Sequence, residues 1–191
     1  MTPIRVFDLQ FLDLFLITLT LIAGATIVWS TLSLGISPMP SSNKARQAMF
    51  RLADDTGSGP IYDLGSGWGH LIISLAKRYP QRKIVGYEMS LLPWLTTVVL
   101  KKVLGLSNLT IRRENFLKAD LSQASVLMCY LHSAVMVKIK EKLDRENEGI
   151  HYLISHNFAL PTEPILKMIR LDDFYQSPVY LYHLNKLSTR V

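Results

Sequence analysis

From Ile61 onward the apolar positions alternate between two patterns. Short unbroken runs, opening at Ile61 and recurring at Lys83–Tyr87, Leu109–Arg112, Val126–Leu131 and Ile150–Phe158, read as strands. Between them, His70–Arg78, Leu91–Leu104 and Ala134–Leu143 carry helical spacing. This alternation predicts an α/β fold with a parallel sheet and helices on both faces. Its last part differs: Ile165–Leu171 and Val179–Leu184 are two strand-like runs joined by DDFYQSP with no helix between them. They predict an antiparallel hairpin at one sheet edge. A further helix, capped by Ser41 or Ser42 and running through Arg46, Met49, Phe50 and Leu52, precedes the first strand.

The front of the chain follows another rule. No charged residue occurs from Leu14 to Leu34, and 21 residues of helix span about 31 Å, close to the hydrocarbon thickness of a bilayer. The expectation is one N-terminal transmembrane helix over about 12–34 within an anchor of residues 1–35. A Pro/Ser hinge over 36–43 and a catalytic domain over 44–191 would follow it. A cleaved leader has a shorter apolar core and a basic start, whereas Asp8 and Asp13 precede this one. A buried core helix is the other alternative, but the few polar residues around it are hydroxyls that can bond back to their own helix. Trp29 suits an interface, and Lys44, Arg46 and Arg51 follow the span, so the domain should face the cytoplasm. That means a bacterial inner membrane, or a mitochondrial membrane in a eukaryote. With 49% hydrophobic residues and a mean hydropathy of +0.20, there is material for one domain and this extra segment. The net charge of +6 then reads as attraction to anionic lipid, since no basic run is interleaved with aromatics as a nucleic-acid surface would require. The sequence leaves the oligomeric state open.

The chemistry centres on IYDLGSGWGH, residues 61–70, where a strand closes on an acid and runs into Gly65, Gly67 and Gly69 at alternate positions. Glycine is needed where backbone turns tightly and a ligand comes within contact distance. Glu88 closes the next strand, 88 − 63 = 25 positions after Asp63. In a doubly wound sheet such an acid reaches ribose hydroxyls. The spacing is not the GxGxxG of dinucleotide sites and no GK[ST] follows, so an adenosyl group without phosphates fits better. No His, Cys or carboxylate cluster has metal-ligand spacing, no serine or cysteine triad can be read, and the single Cys129 belongs to a predicted strand.

DLGSGWG at 63–69, GYE at 86–88 and the terminal hairpin together resemble the class I S-adenosylmethionine-dependent methyltransferases, which have a Rossmann-like seven-stranded sheet. The hydrophobic N-terminal helix, SPMPSS, CYL at 129–131 and SHNFALP at 155–161 look like a small membrane-anchored group of that family. The group includes mitochondrial protein-lysine N-methyltransferases acting on the ATP synthase c subunit and the adenine nucleotide translocase, together with bacterial relatives. The resemblance implies S-adenosyl-L-methionine as cofactor. It places Asp63, Gly65, Ser66, Gly67 and Gly69 along the methionine moiety, Glu88 on the ribose and Met89 on the adenine. Asn115 and Phe116 would sit where many relatives have an aspartate followed by an aromatic, and either the Asn115 amide oxygen or Glu114 would accept from the adenine amino group. Trp68 and His70 depart from the Asp and Arg of many lysine-modifying members.

Methyl transfer asks mainly for alignment and exclusion of water. A lysine acceptor, with a pKa of about 10.4, must also lose a proton first. Tyr130 at a strand end is the candidate for the substrate side, and His132 and His156 are candidates for receiving the proton; a structural role is the alternative for each. No insertion is long enough to build a lid. Three functions stay open at this level. One is methylation of lysine in a membrane-associated protein; the others are methylation of a lipid or quinone-like acceptor, and a tethered cofactor-binding module without turnover.

Overall fold

The computed structural model describes residues 11–21, 24, 42–146 and 149–184. The chain divides into two units, Met1–Ser37 and Pro38–Val191.

In the first unit, residues 11–21 form helix α1 with its apolar side chains exposed. Thr18 and Thr20 donate their hydroxyls to the carbonyls of Leu14 (2.8 Å) and Leu16 (2.7 Å). Among the described residues no helix is long and apolar enough to cross a membrane. Most of the expected 12–34 span lies outside the described residues, which include only 12–21 and 24 of it.

The second unit runs α2 (Asn43–Asp54), β1 (Ile61–Leu64), α3 (His70–Arg78), β2 (Ile84–Tyr87), α4 (Leu91–Val103), β3 (Leu109–Arg112), β4 (Val126–Cys129), α5 (Ser133–Glu146), β5 (Tyr152–His156), β6 (Ile165–Arg170) and β7 (Pro178–His183). The sheet has seven strands in the order β3-β2-β1-β4-β5-β7-β6. β1 to β5 are parallel, and β7 runs antiparallel to both β5 and β6. The predicted α/β sheet and terminal hairpin are thus both present.

Alternation along each strand divides the two faces. Ile61, Ile84, Val126, Met128 and Ile154 face one side, where α2 contributes Ala45, Ala48, Met49, Leu52 and Ala53, and α3 contributes Leu71, Ile72, Leu75 and Ala76. The i, i+3, i+4 spacing of the α2 residues makes it a helix with one buried stripe. Ser42 caps it, its Oγ accepting from Ala45 N at 3.1 Å. Cys129 faces the opposite side, fully buried, with Sγ 3.7 Å from Met136 Sδ of α5.

Two strands end earlier than their apolar runs. β4 stops at Cys129 because the chain leaves the sheet to start α5, where the His132 carbonyl accepts from Val135 N (3.0 Å) and Met136 N (3.2 Å). β5 stops at His156 because Asn157 turns the chain with φ 70°. The parallel strands therefore place Leu64, Tyr87, Cys129 and His156 at one edge, the carboxyl edge where open α/β sheets bind ligands. The β6–β7 turn reaches the same edge, and Lys44 of α2 pairs there with Asp172 Oδ2 at 3.1 Å.

Candidate functional site

Gly65, Gly67 and Gly69 all have positive φ (81°, 53° and 83°). Four amides in this turn are already engaged. Gly65 and Ser66 donate to the Tyr87 carbonyl at 3.0 and 2.9 Å, Gly69 donates to the Ser66 carbonyl at 3.0 Å, and Gly67 donates to Glu88 Oε2 at 2.9 Å. What the glycines present to a ligand is therefore bare backbone at close range. At Gly69 a Cβ would also lie 2.7 Å from both Cγ2 and Oγ1 of Thr97, so α4 can press on the turn only without one. Gly86 has a packing role: its Cβ would lie 2.2 Å from Ile72 Cδ1.

The two acids of the site differ sharply. Glu88 is satisfied at both oxygens, Oε1 accepting from Ser90 N at 2.7 Å and Oε2 from Gly67 N. It ties the end of β2 to the glycine turn. Asp63 lies in register between Gly86 and Met128 and is 2% exposed. Among the described residues nothing donates to its Oδ2. Burial pushes the Asp63 carboxyl up to about 7, and the negative charge of Glu88 adds to the push.

At the ends of β4 and β5 the Tyr130 and His156 rings lie 4.3 Å apart, tilted by 44°. His156 is buried, and among the described residues neither ring nitrogen has a partner. Burial lowers its pKa, opposed by the charge of Asp173 in the β6–β7 turn. His132 is half-buried and caps α5 through its carbonyl, one step along the same edge. Met89, just after β2, is exposed, Glu114 is exposed, and Phe116 is buried. Asn115 Oδ1 accepts from Leu117 N at 2.9 Å, which closes a turn after β3.

Thr97, Ser90 and Leu131 were not legible as part of this site. Thr97 backs the glycine turn, donating its hydroxyl to Pro93 O at 3.0 Å within 3.4 Å of Gly67 O. Ser90 holds Glu88, and Leu131 Cδ2 would lie 3.1 Å from a Cβ at Gly65. The Thr96–Thr97 pair inside the mostly apolar Leu91–Leu104 run is a sequence signal there, and it does not distinguish Thr97 from its neighbour.

The family model described as the ANTKMT methyltransferase domain matches residues 63–165, more than half of the chain. The chain belongs to this family. A Saccharolobus islandicus (strain REY15A) protein described as a protein-lysine N-methyltransferase is 28% identical over 148 residues, covering 75% of this chain and 91% of its own. Among solved structures, an RNA methyltransferase from Salinibacter ruber in complex with S-adenosyl-L-homocysteine superposes with a TM-score of 0.69. It has 24% identity and covers 78% of this chain and 95% of that one. A putative methyltransferase from Escherichia coli gives 0.61 at 15% identity, over 76% of this chain and 86% of its own. At such identities the structures establish the fold.

This ANTKMT-family chain is a class I S-adenosylmethionine-dependent methyltransferase. Its own residues fit that cofactor. A buried carboxyl with an unpartnered oxygen matches an ammonium group, and a turn that lacks a Cβ at Gly65, Gly67 and Gly69 beside it matches a ligand in van der Waals contact. Among the described residues no group of His, Cys, Asp or Glu could hold a metal ion.

Proposed function

We propose that this methyltransferase N-methylates a lysine of a membrane-associated protein. The observation that carries the lysine reading is the match to the S. islandicus protein, which aligns over nearly its whole length. The acceptor side of the crevice agrees with it. A lysine arrives as an ammonium, and His156, whose ring nitrogens have no partner among the described residues, is the group at the strand ends that would take its proton. The membrane component rests on the net charge of +6 and on the exposed apolar face of α1, whose threonine hydroxyls are spent within the helix.

S-adenosylmethionine supplies a methyl group activated by its sulfonium. Asp63 would accept from the methionine ammonium, with Gly65, Ser66, Gly67 and Gly69 in contact with the same moiety. Glu88, whose carboxylate oxygens each retain a second lone pair, would reach the ribose. Met89 and Phe116 would bracket the adenine, with Glu114 or Asn115 accepting from its amino group. On the acceptor side the lysine ammonium would give its proton to His156, the freed amine would take the methyl group with the thioether of the spent cofactor as leaving group, and Tyr130, whose ring lies 4.3 Å from that of His156, would stabilise the cationic product. His132 would line the same approach.

The test uses the full-length protein with methyl-labelled S-adenosylmethionine and membranes, followed by separation of protein from extracted lipid and acid hydrolysis of the protein. Methyllysine that disappears with Glu88→Ala supports the reading. Label confined to lipid, or none despite measurable cofactor binding, overturns it.

A further inference from the structure

Helix α4 is apolar on the side that faces away from the protein. Leu91, Leu95, Val99 and Val103 recur every four residues and are 46%, 45%, 50% and 75% exposed. Only Pro93 and Thr97 of the helix are buried. The exposed faces of α2 and α5, by contrast, carry Lys44, Arg51 and Asp54, and Lys138, Glu141, Asp144 and Arg145. The fold therefore does not require an apolar outer surface here.

The hydroxyl that flanks the stripe is silenced. Thr96, partly exposed, donates it to the carbonyl of Leu92 at 2.9 Å in its own helix. Charge is placed at the two ends. Lys101 and Lys102 close the last turn, and Arg113 Nε lies 3.4 Å from the Met89 carbonyl just before the first. From Met89 to Arg113 there are four cations, Lys101, Lys102, Arg112 and Arg113, and no acid.

We infer that α4 is an interfacial helix that seats its outer face in the headgroup–acyl boundary of an anionic bilayer. An apolar stripe about 20 Å long, bracketed by cations and with its flanking hydroxyl satisfied internally, matches such a surface. A second copy of the chain matches it poorly. A two-fold contact through this face would set the same cations of both copies against each other. Seating α4 in this way brings the crevice mouth to headgroup level, because Ser90 at its start holds Glu88 and Thr97 abuts the glycine turn. The inference does not depend on which acceptor is methylated.

The test places an environment-sensitive fluorophore at Val99→Cys in the full-length protein, with Lys138→Cys on α5 as the reference. Cys129 is fully buried, so the introduced thiol takes the label. Retained binding of S-adenosylhomocysteine verifies that each labelled protein is folded. With phosphatidylglycerol-containing vesicles, emission at 99 should rise at least two-fold and be quenched by spin-labelled acyl chains, while emission at 138 stays within 20%. Adding Leu95→Glu should remove most of the rise at 99. Three outcomes overturn the inference: a label at 99 as open to aqueous iodide as the one at 138 on vesicle-bound protein, a rise that tracks protein concentration without vesicles, or equal response in purely zwitterionic vesicles. Loss of lysine methylation with quenching at 99 intact would refute the proposed substrate and leave this inference standing.

Discussion

Replacing Asp63 by Asn should make the cofactor-free enzyme more stable and unable to hold its cofactor. Burial and the Glu88 charge push the carboxyl from 3.8 up to about 7. At about 1.36 kcal/mol per unit, ionising it inside the fold costs up to about 4 kcal/mol. The direction follows from linkage. Below about pH 4 Asp63 is neutral in the folded and unfolded chains and costs nothing. As pH rises the unfolded chain ionises first, and the fold loses stability until the pH passes about 7, where the loss levels off. Asparagine removes this term but buries an amide with an incomplete set of partners, at about 1–3 kcal/mol. The net gain above pH 7 is then about 1–3 kcal/mol, or about 2–12 °C in Tm for a chain of this size. Thermal unfolding of both proteins at pH 4.5 and pH 8, with and without S-adenosylhomocysteine, measures it. Wild type at 100-fold excess over Kd should gain about 2.7 kcal/mol from ligand and the variant almost none. A variant less stable than wild type by the same amount at both pH values would refute the account, since the cost would then owe nothing to ionisation.

Further consequences follow from the same geometry. Cofactor binding by the wild type should weaken about tenfold per pH unit below about 7, because the buried carboxyl must first release a proton; calorimetry from pH 5.5 to 8.5 reads the slope. Glu88→Gln turns an amide donor toward Gly67 N or Ser90 N, so stability should fall by about 1–3 kcal/mol and the Asp63 titration should move downward. Gly69→Ala should cost about 1–3 kcal/mol from its left-handed φ and its overlap with Thr97. Combined with Thr97→Ala, it should cost clearly less than the sum of the two changes in chemical denaturation. His156→Phe should keep Kd for the cofactor within two-fold while lowering kcat about 10²–10⁴-fold, and an unchanged kcat would assign His156 a packing role.

The strand–turn–helix from Ile61 to Arg78 was legible because glycine spacing and apolar runs are local signals. The ends of β4 and β5 were not, because apolar residues beyond them serve other contacts. Leu131 continues the apolar run of β4 yet packs at Gly65, and Phe158 continues that of β5 beyond the left-handed Asn157. Asn115 could be read as a ligand acceptor, but nothing in its neighbours signals that its Oδ1 closes a turn. The exposure of α4 was hidden for a different reason. A helix apolar on all sides ordinarily reads as buried, and only its position over the β3 edge leaves its outer face uncovered.

Asp63 and Glu88 show why the division of labour at this site could not be read from spacing. Both are acids at strand ends, 25 positions apart, and the sequence offers no means of ranking them. The β1–β2 register sets them beside the same turn, and the backbone then treats them oppositely. Glu88 receives two amides and becomes part of the scaffold, whereas Asp63 receives no donor at Oδ2 and keeps its capacity to bind. Their repulsion is useful only in this arrangement. Glu88 cannot relieve it by moving without releasing Gly67, so the strain falls on Asp63, where a cationic ligand can discharge it. Removing the Glu88 charge should therefore weaken the turn and also reduce the pH dependence of cofactor binding, two effects that a purely ribose-binding glutamate would not couple.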